Sequence, residues 1–90
     1  PREIAPAGGA TPSRLLAYHI CDWLVPTVDM LNDRGMMGDG VIDLPLMRRW
    51  MEDAGYRGMH EVEIFSANNW WQRDPDEVLA TCRARHRDCT

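Results

Sequence analysis

The stretch "MHEVEIF", residues 59–65, narrows the possible folds more than any other part of this chain. Side chains of a strand alternate between its faces, so Glu61, Glu63 and Phe65 share one side while His60, Val62 and Ile64 share the other. The second side is suited to packing on helices, and the acids must then point away from the helix layer. In an open sheet covered on both faces they would meet a second set of helices. In a closed barrel they point into the lumen, whose mouth can be polar, and a barrel accommodates them better.

The remaining pattern agrees with parallel strands. "LLAYHICDWLV", residues 15–25, has few charges and the length of a buried strand. Its alternation sets Leu15, Ala17, His19 and Cys21 against Leu16, Tyr18 and Ile20. Next comes "PTVDMLNDRGMMGDG", a long loop with glycines at 35, 38 and 40, of a length more often functional than idle. Asp43 is placed to cap a helix over Leu44 to Ala54, with Pro45 in the first turn, Leu44, Met47, Met51 and Ala54 on one face, and Gly55 as the stop. After the acidic strand, "SANNWWQR" leads to "DPDEVLATCRARHR". There Asp74 as cap, Pro75 at the first helical position and Glu77 three residues after the cap signal a second helix, with Val78, Leu79 and Cys82 as its apolar stripe. Strand, helix, strand, helix is the order of parallel strands joined by right-handed crossovers. Residues 1–13, rich in Pro, Gly and Ala, read as a linker or frayed end, leaving 14–90 as the folded part.

Charge and cysteine usage exclude several classes of function. A net charge of −4 argues against a nucleic-acid binder, whose affinity rests on clustered Lys and Arg. The basic run "RARHR", 83–87, sits at an expected helix end, where positive charge complements the dipole. No stretch approaches the roughly 20 apolar residues needed to cross a bilayer. Three cysteines, Cys21, Cys82 and Cys89, form no CxxC pair and suit a reducing cytoplasm. The chain opens on Pro1 and is expected to be a piece of a longer protein.

His19 falls on the expected lumen side of the first strand, and the strands of a sheet lie about 4.8 Å apart. If the two strands are neighbours, His19 and a glutamate at the strand ends can reach one divalent ion, since imidazole and carboxylate both suit Zn, Mn or Co. Two ligands fall short of the three that a catalytic metal usually keeps. The plainer alternative is a hydrogen-bonded strand histidine beside a solvated glutamate. Asp22, next on from Cys21, could orient His19 only if the chain bends it back across the alternation. Cys21 reads as a buried structural thiol. Trp70 and Trp71 serve equally as an apolar wall of a site or as packing for the last helix.

Several motifs in order, "HICDW", "DRGMMGDGVID", "GYRG", "EVEIFS", "WW" and "DPDEVL", resemble the xylose-isomerase-like TIM barrels, which include sugar phosphate isomerases and epimerases, inosose isomerases and ketose 3-epimerases. The resemblance runs from about Leu16 to His86 and implies the last two βα units of a (β/α)8 barrel, incomplete in a chain of this length. It implies that His19 and Glu63 are metal ligands for a divalent ion (Mn, Zn, Co or Mg). Glu63 would also be one of two carboxylates that move a proton next to a carbonyl. Arg34 matches a position near the substrate mouth, suited to hydroxyl or phosphate oxygens. The family's Glu and Asp ligands from the fifth and sixth strands, and its second acid/base Glu, have no counterpart in these residues. Ketose epimerases carry an Arg shortly after the His, where this chain has Leu24 and Val25, which favours the inosose-type branch.

The expected function is thus the C-terminal part of a metal-dependent sugar or cyclitol isomerase/epimerase, inactive when isolated, with its partner the missing part of the barrel or a second copy. The alternative is a non-catalytic α/β module that self-associates through open strand edges. The DNA-cutting endonuclease branch of the superfold is disfavoured by the acidic balance.

Overall fold

The computed structural model describes residues 14–90, so the expected linker 1–13 lies outside the described residues. Two short strands, β1 (Tyr18–Ile20) and β2 (His60–Val62), pair in parallel with Tyr18 opposite His60, His19 opposite Glu61 and Ile20 opposite Val62. Helix α1 (Leu44–Asp53) lies between them in sequence, and helix α2 (Pro75–Cys89) follows a 3₁₀ turn at Trp70–Gln72. The order is the one the sequence patterns imply.

Helix boundaries follow from local chemistry. The Asp43 carboxylate accepts the Leu46 amide at 3.1 Å, Pro45 sits where its missing N–H costs nothing, and Gly55 leaves the helix at φ 95°, a conformation that favours glycine. Asp74 caps α2 through the Glu77 amide, with Pro75 opening the helix. Leu44, Met51 and Ala54 are buried, whereas Met47 is half-exposed. On α2, Val78 and Cys82 reach the core but Leu79 is 64% exposed, so the apolar stripe is narrower than expected.

The long glycine loop departs furthest from its appearance in the sequence. Met36 and Met37 are completely buried and form the core with Ile20, Leu44 and Trp70. The loop is therefore as much a plug as a mouth. Its stretch 33–35 also crosses the C-terminal ends of both strands: Gly35 exchanges backbone hydrogen bonds of 2.9 Å with Asp22, and the Arg34 amide donates to the Phe65 carbonyl at 2.8 Å. Asp33 and Ser66 form a further isolated antiparallel bridge. This crosspiece replaces strand pairing beyond Ile20, which is why regular β1 covers only part of the apolar run at 15–25.

Candidate active site at the strand ends

Register decides which groups meet. His19 lies directly opposite Glu61, and the Glu63 amide donates to the Ile20 carbonyl at 2.9 Å, which keeps Glu63 beside β1 one step further along. Both glutamates occupy the face that alternation assigns them, and that is the face carrying His19. The imidazole is held between them: Nε2 lies 2.8 Å from Glu61 Oε2 and Nδ1 lies 2.8 Å from Glu63 Oε2. All three side chains are about half exposed.

A neutral imidazole carries one N–H and can donate to only one carboxylate at a time. The other ring nitrogen then presents a lone pair beside a carboxylate oxygen, two acceptors that a cation could bridge. The donor set suits a divalent ion: a nitrogen and a carboxylate oxygen face each other on one open side, while a second carboxylate holds the other ring nitrogen, as metal-bound histidines usually require. Among the described residues, no group of three or more His, Cys, Asp or Glu side chains is arranged to hold a metal ion by itself. His19 and Glu63 offer one nitrogen and one carboxylate oxygen, two of the donors a divalent ion could use.

The Arg34 side chain lies beyond this trio along β1. Its NH1 is 3.7 Å from the Cys21 thiol, two residues past His19, its Nε donates to the Met30 carbonyl at 3.0 Å, and the guanidinium stands 5.5 Å from the Trp23 ring centre. A small cavity lined by Tyr18, His19, Cys21, Ile42 and Met47 opens beside the strand. The two tryptophans divide their roles: Trp70 is buried in the core with Arg73 over its ring, whereas Trp71 is 56% exposed and meets Phe65 edge-on at 5.7 Å.

Two residues behave differently from their reading in the sequence. Glu61 is the direct neighbour of His19; the same-face pattern pointed to it, but only the parallel register set it opposite the imidazole. Asp22 does not turn back toward His19. It is buried, and its carboxylate accepts the amides of Trp23, Gly38, Gly40 and Ile42 at 2.8–3.0 Å. The signal for this was the spacing of glycines downstream, where backbone can approach closely.

On the helix-facing side of the sheet His60 Nδ1 lies 2.9 Å from His86 Nε2, linking β2 to α2, with the Tyr18 ring edge-on to His60 at 5.1 Å. Burial, then the positive charge of Arg48 and the neighbouring His86, hold the His60 imidazole below its ordinary pKa. Burial raises the Tyr18 phenol above its usual value.

With this geometry in hand, comparison with known proteins places the chain. The family model for xylose isomerase-like TIM barrels matches residues 3–83, and the chain belongs to that family. Among solved structures it is similar to protein SMc04130 from Sinorhizobium meliloti 1021, at 62% identity and a TM-score of 0.90 over 98% of this chain. The chain spans 31% of the length of that protein. No curated protein matches it.

Proposed function

We propose that this chain forms the last two strand–helix units of a metal-dependent sugar or cyclitol isomerase/epimerase barrel, with His19 and Glu63 as ligands of a divalent ion (Mn, Zn, Co or Mg). The observation that carries this reading is the 2.8 Å approach of His19 Nδ1 to Glu63 Oε2 across paired parallel strands, with Glu61 on the other ring nitrogen. Family membership supports the reaction class. When bound, such an ion supplies positive charge opposite the carbonyl oxygen as its neighbouring carbon loses a proton. Glu63 is the carboxylate that takes and returns that proton, Glu61 fixes the ring of His19, and Arg34 donates to hydroxyl or phosphate oxygens of the substrate.

The remaining ligands and the second acid/base group come from outside these residues, in keeping with a chain that spans 31% of its structural relative. The partner is the rest of that barrel. Two parallel strands leave outer edges open, and exposed apolar side chains such as Leu16, Val28, Met30 and Met59 await cover. The same edges favour the second reading, a non-catalytic module that pairs with its own kind. Cys21, Cys82 and Cys89 are free thiols, which supports a reducing, cytoplasmic setting. Among the described residues no helix is long and apolar enough to cross a membrane.

Calorimetric titration with Mn²⁺ or Co²⁺ separates the two readings. The enzyme reading expects binding in a longer polypeptide carrying this chain, lost in His19→Ala and in Glu63→Gln, and little or none in these residues alone. Absence of binding in both would leave the module.

A further inference from the structure

Asp22, which the proposed reaction does not employ, is among the most engaged side chains of the described residues. Its carboxylate is 1% exposed and collects four backbone amides. Oδ1 accepts from Trp23 at 2.8 Å and Ile42 at 3.0 Å; Oδ2 accepts from Gly38 at 3.0 Å and Gly40 at 2.9 Å. Two glycines are fitted to this clasp. A Cβ on Gly40 would stand 2.2 Å from the Trp23 carbonyl and 2.5 Å from Asp22 Oδ1, and Gly38 adopts φ 92° with Cys89 Sγ 2.7 Å from where its Cβ would lie. From outside, Arg85 on α2 donates to the Met37 carbonyl at 2.9 Å and to Asp39 at 2.8 Å, so the loop is tied on two sides.

The tied loop begins with the crosspiece 33–35, the segment that bonds the continuation of β1 at Asp22 and the continuation of β2 at Phe65 and Ser66. Asp22 is thus the shared member of both constructions: its backbone pairs with Gly35 and its side chain holds the loop that follows. Among the described residues, the ends of β1 and β2, which carry His19 and Glu63, are joined by the ladder, by the Glu63 amide on the Ile20 carbonyl and by this crosspiece, and the same loop is tied again where the Val41 amide donates to the Trp23 carbonyl at 3.0 Å and the Ala67 amide to the Asn32 carbonyl at 3.0 Å.

We propose that Asp22 is a positioning residue of the His19–Glu63 pair: by clasping the 35–42 loop through its amides it fixes the crosspiece, and the crosspiece sets the separation of the two strand ends and the seat of Arg34. This rests on the reading of His19 and Glu63 as a metal-binding pair. The clasp needs two acceptor oxygens, because each accepts two N–H donors; an amide in its place presents its own N–H groups to two of them.

The test uses the longest polypeptide carrying this chain and Co²⁺ alone as probe. Asp22→Asn breaks the clasp from the carboxylate side, and Gly40→Ala breaks it from the loop side with Asp22 intact. Gly55→Ala is the control, since it strains a φ of 95° where a Cβ meets nothing within 4 Å and leaves the clasp alone. In crystal structures of the two clasp variants the His19 Nδ1–Glu63 Oε2 separation is expected to open by about 1 Å, and Co²⁺ affinity to fall about 10- to 100-fold, with the control unchanged in both. A separation that stays at 2.8 Å while the 35–42 amides lose hydrogen-exchange protection overturns the proposal, as does an equal loss of affinity in Gly55→Ala. If the unaltered protein binds no Co²⁺, the metal reading fails, and the measured separation still decides whether Asp22 positions the pair.

Discussion

His60 and Tyr18 show how single residues respond to being covered. Burial, Arg48 and His86 all lower the His60 pKa, so folding favours its neutral form. The unfolded chain then binds more protons than the folded one below the ordinary value of 6.5, and the stabilisation from this group is present above that value and lost as pH falls through the lowered one. Urea midpoints measured from pH 7.5 to 5 are expected to fall, and the fall to be shallower in His60→Gln. An equal slope in both would contradict the assignment. Tyr18 carries a buried hydroxyl that finds no hydrogen-bond partner among the described residues. Tyr18→Phe removes a desolvated group at no cost in bonding and is expected to leave stability unchanged or raise it by up to about 1 kcal/mol, read from chemical denaturation. Glu61, Glu63 and His19 were legible as residues of one face, because alternation is a property of any strand. That Glu61 rather than Glu63 lies level with His19 was not legible, since register depends on pairing between segments some 40 positions apart in the chain.

At the scale of elements, the helices were readable because their caps are local chemistry. Asp43, Pro45 and Gly55 around α1, and Asp74 and Pro75 at α2, act over four or five residues. Asp74→Ala is expected to cost about 1 kcal/mol, detected as a lower denaturation midpoint, by leaving the Glu77 amide without its acceptor. The loop between β1 and α1 was not readable in the same way. Its glycines suggested a mouth, yet Met36 and Met37 turn inward to the core and Asp22 collects the amides that follow. Those partners lie 16–20 residues away, beyond the reach of any local pattern. Gly40→Ala is expected to destabilise the fold by more than the roughly 1 kcal/mol typical of point substitutions, because backbone and a buried carboxylate occupy the space. A thermal midpoint equal to that of the unaltered chain would show that the loop can yield.

For the whole molecule, two strands cannot bury what they carry. Among the described residues β1 and β2 have one neighbour each, and α2, the longer of the two helices, contributes no buried residue. In a closed barrel a helix of this kind would be flanked by those of neighbouring units. The chain by itself is therefore expected to associate, with an apparent mass by light scattering that rises with concentration, while a polypeptide long enough to close the barrel stays at a fixed mass. A concentration-independent monomer of these residues would mean that the exposed edges are harmless as they stand. The barrel class was legible from two acids on one strand; the match at a TM-score of 0.90 to a protein about three times as long gives that inference its scale.

The central claim is that an imidazole on one strand and a carboxylate on the next bind the same cation. Its most direct test is anomalous diffraction from crystals of the longer polypeptide grown with Co²⁺. A single peak within about 2.0–2.3 Å of a His19 ring nitrogen and a Glu63 oxygen is the expected result. A peak ligated by neither side chain, in crystals where both remain ordered, would contradict it.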